Sequence, residues 1–181
     1  MTVFVALLRA VNVSGQKKVP MAELRRTLGG LGLTGVETYL QSGNVVFDAR
    51  GDDPTEQAAA IHGLIEREFG HDVRVLVLTA AELVQIAAAN PLLVGGVDEK
   101  YLHVTFLVAP ADADGCAGRE LPAREGERVA CAGSVIYLYL PHGYGRTKLN
   151  NSFFERALKT PATTRNWRTV LALAEMSARG A

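Results

Sequence analysis

The stretch ETYLQSGNVVF (residues 37–47) carries the clearest fold signal in the sequence. Two β-prone runs flank the triplet Ser42-Gly43-Asn44, whose residues tolerate the positive φ angles of a tight turn. The sequence therefore predicts a β-hairpin, with one strand on each side of this triplet.

The segments around this hairpin alternate between strand and helix patterns. The runs TVFVALL (2–8) and VRVLVL (73–78) are apolar and β-rich, which is typical of buried strands. Pro20 suits the first turn of a helix before the hairpin, and Asp53-Pro54 has the pattern of a helix start after it. The predicted order is β-α-β-β-α-β, the ferredoxin-like pattern.

The second half repeats part of this pattern. LHVTFLV (102–108) reads as a strand, and ERVACAGSVIYLYL (127–140) as a second hairpin. Ser152 with Glu155 predicts the start of a short helix, and Thr163 or Thr164 the cap of a last one. The inward face of that last helix is predicted to hold Trp167, Val170, Leu171 and Ala174.

The sequence thus predicts an α/β (α+β) fold. It consists of two ferredoxin-like βαββαβ-type halves packed together, residues 1–90 and 91–181. The second half is expected to be incomplete and to end in helices, where a full repeat would place a strand.

Composition excludes several classes of protein. The chain has 181 residues, 48% of them hydrophobic, which is too apolar for intrinsic disorder. It has 19 Lys plus Arg and 19 Asp plus Glu, a balance that argues against a globally basic nucleic-acid binder. No apolar run is long enough to span a membrane, and the first residues lack a signal-peptide pattern. We expect a cytoplasmic protein.

Residues that bind metals or cofactors show no recognisable spacing. Cys116 and Cys131 lie far apart and form no CxxC pair, so they are predicted to be free thiols. The four histidines are scattered, so no metal site is expected. Gly30, Gly32 and Gly35 satisfy G-x-G-x-x-G but follow a predicted helix, which is the reverse of the dinucleotide-binding context. No cofactor is predicted.

Positive charge is concentrated in two segments. Residues 1–30 hold five Lys or Arg and one acid, and residues 141–170 hold six and one. One interpretation is a solvated surface with uneven patches. The other is that the two segments meet and form an anion site, helped by a helix N-terminus near Thr163-Thr164-Arg165.

Three stretches together resemble an uncharacterised bacterial family, domain of unknown function 1697. They are LLRAVNVSGQKKVPMAEL (7–24), TYLQSGNVVF (38–47) and ATTRNWRTVLALAE (162–175). The resemblance implies two ferredoxin-like halves and no established activity. Ala10 and Ser14 stand where the family commonly has glycine. The polar residues that belong to the family's pattern are Arg9, Asn12, Gln41, Ser42, Asn44, Lys148, Arg165 and Asn166.

We derive three functional hypotheses from these residues. The first is a small phosphate- or carboxylate-bearing ligand bound where Arg9, Lys148 and Arg165 converge, with the other polar residues of the set orienting it. The second is an interaction or homo-oligomerisation module, in which Arg165 and Asn166 tie the last helix to the loop after the first strand. The third is weak, non-specific nucleic-acid binding, which the neutral net charge disfavours. Whether the protein is an enzyme is left open.

Overall fold

The structure, a computed structural model, describes residues 1–111, 116 and 119–178. These residues contain two four-stranded antiparallel sheets and five α-helices. The chain divides into two compact units, Met1–Gln85 with the segment from Ala172 onward, and Ile86–Leu171.

The first sheet has the strand order β2-β3-β1-β4. Its strands are antiparallel throughout, with Phe4 of β1 opposite Phe47 of β3. This order is consistent with the predicted ferredoxin-like arrangement. The elements from the N-terminus are β1 (Thr2–Leu8), α1 (Met21–Leu28), β2 (Thr34–Tyr39), β3 (Asn44–Ala49), α2 (Pro54–Phe69), β4 (Val75–Thr79) and α3 (Ala80–Ala88).

Helices α1 and α2 supply the core that covers one face of the first sheet. Leu24 and Leu28 of α1 and Ile61 and Ile65 of α2 are wholly buried in this core. The predicted start of α2 is confirmed, because the Asp53 carboxylate accepts a hydrogen bond from the Thr55 amide at 2.8 Å.

The second sheet has the order β6-β7-β5-β8, which repeats that of the first. Both predicted hairpins are present, and Gly133 and Ser134 form the turn of the second. The elements are β5 (Leu102–Leu107), β6 (Arg128–Ala132), β7 (Val135–Tyr139), α4 (Asn151–Leu158), β8 (Ala162–Asn166) and α5 (Trp167–Ala178).

The closing strand β8 corrects the prediction for the second half. Residues expected to cap a helix instead pair with β5, with Thr164 opposite Thr105 and Arg165 opposite Val104. The chain still ends in a helix, but that helix begins at Trp167. The prediction failed because threonine suits both helix caps and strands. The partner that decides between them, β5, lies more than fifty residues away in the sequence.

Two further helix predictions were wrong in detail. Helix α4 is capped by Asn150, whose side chain accepts from the Phe153 amide at 3.0 Å, and not by Ser152. Trp167 and Val170 are buried as expected, whereas the side chain of Leu171 is 42% exposed.

The prediction of two free thiols was also wrong. Cys116 and Cys131 form a disulfide across 15 residues of sequence, with their Cα atoms 6.1 Å apart. Cys131 lies on β6, an edge strand, so the disulfide links Cys116 to the edge of the second sheet. Among the described residues, no helix is long and apolar enough to cross a membrane.

Candidate functional site

The loop after β1 is attached to the tip of the first hairpin by Asn12. Its side-chain amide donates to the carbonyl oxygens of Val19 at 2.9 Å and Gln41 at 2.8 Å. Its side-chain oxygen accepts from the Val19 amide at 2.9 Å. One amide proton of Asn12 therefore closes the loop of residues 9–19 onto itself, and the other joins this loop to residues 40–44. These two segments are called the Asn12 loop cluster below.

The backbone of this cluster is held in conformations that side chains normally avoid. Five residues other than glycine have positive φ: Ala10 (56°), Asn12 (55°), Ser14 (51°), Lys17 (45°) and Leu40 (58°). Ala10 and Ser14 are the positions where the sequence resemblance implies glycine, and a positive φ is the conformation that glycine adopts without steric cost. Left-handed residues of this kind are found preferentially at ligand-binding and catalytic sites.

Asn44 and Gly43 fix the conformation of the hairpin tip. Asn44 is fully buried, and its side-chain amide donates to the Tyr39 carbonyl at 2.8 Å and the Ser42 hydroxyl at 3.0 Å. Gly43 has φ 82°, and a Cβ atom there would lie 2.6 Å from Val11 Cγ2 and 2.7 Å from Leu8 Cβ. Only glycine fits this position, so the tip is locked onto the loop after β1.

The Asn12 loop cluster carries positive charge and open backbone donors. Residues 9–19 and 40–44 include Arg9, Lys17 and Lys18 and contain no acidic residue. Lys17 donates to the Asp72 carbonyl at 2.6 Å, and the side chain of Lys18 is exposed. Within the described part of the chain, the amides of Ser14, Gly15 and Lys18 donate no hydrogen bond.

Arg165 is buried on the central part of β8. The residue is only 8% exposed. Its guanidinium donates hydrogen bonds to the Thr163 hydroxyl at 2.9 Å and the Thr164 carbonyl at 3.0 Å. Burial lowers the pKa of Arg165 to about 10, opposed by the charge interaction with Tyr144. The group therefore keeps its proton at neutral pH.

Asn166 and Lys148 have different surroundings. The Asn166 side chain accepts from the Thr169 amide at 2.9 Å, so Asn166 is the N-cap of α5. Lys148 is exposed between two buried neighbours, in the loop before α4.

The predicted site residues thus fall into two groups. Arg9, Asn12, Gln41, Ser42 and Asn44 lie in the Asn12 loop cluster of the first unit. Arg165 and Asn166 are neighbours in the second unit, which also holds Lys148. The convergence of Arg9 with Lys148 and Arg165 stays a prediction.

A polar group that sequence reasoning missed lies on the second sheet under α4. The Thr164 hydroxyl is 2.7 Å from the Thr105 hydroxyl and donates to the Asn151 side-chain oxygen at 2.7 Å. The ring of His103 stacks on that of Tyr144 with centroids 5.5 Å apart. The alternation in LHVTFLV places His103 and Thr105 on one face, and this was the signal available in the sequence.

The protonation state of His103 follows from its contacts. Its Nδ1 lies 3.2 Å from the Tyr101 carbonyl, which can only accept, so Nδ1 carries the proton of the neutral ring. Burial lowers the pKa of His103, and the hydrogen bond to Tyr101 opposes this shift. Among the described residues, no group of three or more His, Cys, Asp or Glu is placed to hold a metal ion.

Comparisons with known proteins give a family and a fold. The model of a family described as "Protein of unknown function (DUF1697)" matches residues 1–137. The structure is similar to that of the conserved bacterial protein SP0830 from Streptococcus pneumoniae, with a TM-score of 0.75 and 23% identity over 97% of this chain and 98% of that chain. No curated protein matches the sequence. At this identity the structural likeness shows the fold alone.

Proposed function

The chain belongs to this family of unknown function, and we propose that it binds a small phosphate- or carboxylate-bearing ligand at the Asn12 loop cluster. The observation that carries the proposal is the cationic loop itself. It is held in left-handed conformations and leaves the amides of Ser14, Gly15 and Lys18 without intramolecular acceptors.

Backbone geometry supports an anion as the ligand. Between residues 10 and 14, positive φ occurs at every second residue. The N–H of Asn12 in this run donates to the Lys17 carbonyl, so the donors left for an anion are the adjacent amides of Ser14 and Gly15, both on residues with positive φ. Adjacent open N–H groups can bind an oxyanion. The three hydrogen bonds of Asn12 offset the cost of the left-handed residues, so the loop needs no ligand to hold this conformation.

Charge supports the same conclusion. Lys18 is exposed and makes no ion pair within the described residues, and no carboxylate is present in either segment of the cluster. A cation beside open amide donors attracts a phosphate or carboxylate and adds charge-assisted hydrogen bonds. Asn12 and Asn44 shape this site, and Lys18, Gln41 and Ser42 are the contact residues that we propose.

Calorimetric titration tests the proposal. Phosphate, pyrophosphate and citrate are titrated at low ionic strength into the wild type, Lys18→Ala and the control Arg156→Ala. Arg156 is an exposed cation on α4 with no ion pair in the described chain. We expect at least one of these anions to bind the wild type and the control equally. Lys18→Ala should weaken binding by about tenfold or more, the value of one charge-assisted hydrogen bond.

Two results would contradict the proposal. One is that none of the three anions binds the wild type. The other is that Lys18→Ala binds as tightly as the wild type.

A second candidate function is protein interaction or homo-oligomerisation through the same cluster. Val13 is 56% exposed and Leu40 is 54% exposed, and they are the chain neighbours of Asn12 and Gln41, which a hydrogen bond joins. Leu40 also has a positive φ, a backbone conformation that is unfavourable for a residue with a bulky side chain. Burial of the side chain does not compensate for this cost, because Leu40 is exposed. Sedimentation of the wild type and of Leu40→Asn over a range of concentrations tests this alternative. The wild type should self-associate as the concentration rises, and Leu40→Asn should self-associate more weakly.

We also propose a cytoplasmic location. The disulfide of Cys116 with Cys131 makes this proposal testable, since cytoplasmic disulfides are usually transient. The pair is oxidised in the structure, and a cytoplasmic location requires that cellular reductants act on this disulfide, so trapping of free thiols in intact cells should find both cysteines mainly reduced. A fully oxidised pair in the cell would overturn the cytoplasmic assignment.

A further inference from the structure

The disulfide between Cys116 and Cys131 is open to attack from one side. Cys131 is exposed on the edge strand β6, whereas Cys116 is half-buried against the apolar core that contains Phe154 of α4. An attacking thiol can therefore reach the bond at Cys131, and accessible disulfides exchange more readily than buried ones. Neither cysteine belongs to the Asn12 loop cluster, so this inference and the anion site fail independently.

The second sheet does not depend on the disulfide to hold β6. The strand pairs with β7 in unbroken antiparallel register, from Arg128 opposite Tyr139 to Ala132 opposite Val135. This backbone pairing involves no sulfur atom, so we expect the reduced chain to keep β6 in the sheet. A disulfide that can open while the fold persists is able to act as a switch and not only as a permanent cross-link.

Contacts on both sides of Cys116 keep the two cysteines near one another when the bond is open. The Ala111 amide donates to the carbonyl of Gly133, in the turn after β6, at 3.2 Å. Leu121 packs against the same core cluster as Cys116. Reduction leaves both contacts in place, so each thiol meets the other at a high effective concentration. Closure of the disulfide is therefore favoured over a lasting adduct with an external thiol.

We propose that Cys116 and Cys131 form a reversible redox site that exchanges with a small thiol–disulfide couple and sets the stability of the second unit. A small thiolate attacks the Cys131 sulfur, which forms a mixed disulfide and releases Cys116. A second small thiolate attacks the outer sulfur of this mixed disulfide and releases Cys131. The protein disulfide gains two electrons, the two small thiols are oxidised to one disulfide, and their protons pass to the cysteines. Oxidation of the site is the reverse sequence.

Equilibration of the purified full chain with varied ratios of reduced to oxidised glutathione tests the proposal. Fully oxidised and fully reduced protein are incubated without oxygen, quenched with acid, alkylated and analysed by mass spectrometry. Both should reach the same oxidised fraction at each ratio, and this fraction should pass from nearly all disulfide to nearly all dithiol across the series. Reduction should lower the Tm by roughly 6–12 °C, as expected for opening a cross-link over 15 residues, while the circular dichroism stays that of a folded protein.

Cys116→Ser and Cys131→Ser are a matched pair, because each lacks the disulfide and keeps one thiol. Oxidised glutathione should modify Cys116→Ser several-fold faster than Cys131→Ser, since the remaining thiol is exposed in the first variant and half-buried in the second.

Four results would overturn the proposal. They are a disulfide that reduced glutathione opens only in denaturant, a reduced chain that is unfolded, glutathione adducts in place of the disulfide on the wild type, and equal rates of modification for the two variants.

Discussion

Replacing Asn12 by alanine should destabilise the first unit severely. The substitution removes three hydrogen bonds of 2.8–2.9 Å, which contribute about 1 kcal/mol each for a partly buried side chain. It also places alanine at φ 55°, where asparagine is better tolerated, at a further cost of about 1 kcal/mol. The expected loss in the free energy of unfolding is therefore about 4 kcal/mol.

Thermal and urea unfolding measure this loss directly. For a chain of this length, about 4 kcal/mol corresponds to a decrease in Tm of roughly 8–16 °C. Gln41→Ala is the matched control, because Asn12 binds only the Gln41 backbone and the Gln41 side chain is exposed. This control should change the free energy of unfolding by less than about 0.5 kcal/mol. Equal melting of Asn12→Ala and Gln41→Ala would refute the role assigned to Asn12.

Three further predictions follow from other parts of the fold. Gly43→Ala should prevent the native hairpin tip from forming. Gly15 also has a positive φ but has open space around it, so Gly15→Ala should lower the free energy of unfolding by only about 1 kcal/mol. The urea midpoints of the two variants measure this difference in stability. The pKa of His103 is lowered on folding, so the unfolded chain binds its proton more readily and stability should fall as pH drops below about 6.5. Melting temperatures between about pH 5 and 8 should show a smaller decrease for His103→Gln than for wild type. Cys131→Ser removes the disulfide with Cys116, and from the 15-residue separation it should lower stability by about 3 kcal/mol in calorimetry under non-reducing conditions.

Local sequence signals were sufficient for the elements that depend on local chemistry. Gly43 and Asp53 each occupy a position where the backbone requires a particular residue type, and both the hairpin and the start of α2 follow from them. Strand β8 has no such signal. The threonines before Arg165 can cap a helix or lie in a strand. They lie in a strand because they pair with β5, which is distant in the sequence.

The disulfide shows the same dependence on long-range structure. Cys116 and Cys131 are separated by 15 residues, and no spacing rule predicts that their Cα atoms come within 6.1 Å. Their approach follows from the position of β6 at the edge of the second sheet, which the sequence does not specify. The two thiols were therefore assigned from composition and compartment alone, and this assignment was wrong.

The polar residues named for the sequence resemblance differ in the roles of their side chains. Asn12, Asn44 and Asn166 each bind backbone groups. Asn12 lies in the loop after β1, Asn44 at the hairpin tip and Asn166 at the start of α5. A loop, a hairpin tip and a helix cap need such residues whether or not a ligand binds. Folding alone is therefore a sufficient reason for asparagine at these three positions.

Ligand contacts are therefore expected from polar residues without a structural role of this kind. Lys18 and Lys148 are exposed cations next to structural residues, and Gln41 lends only its backbone to Asn12. If a shared ligand exists, variants of these exposed residues should lose binding and keep stability, whereas variants of Asn12 should lose stability first. Measuring both quantities for Lys18→Ala and Asn12→Ala separates the framework of the site from its contacts.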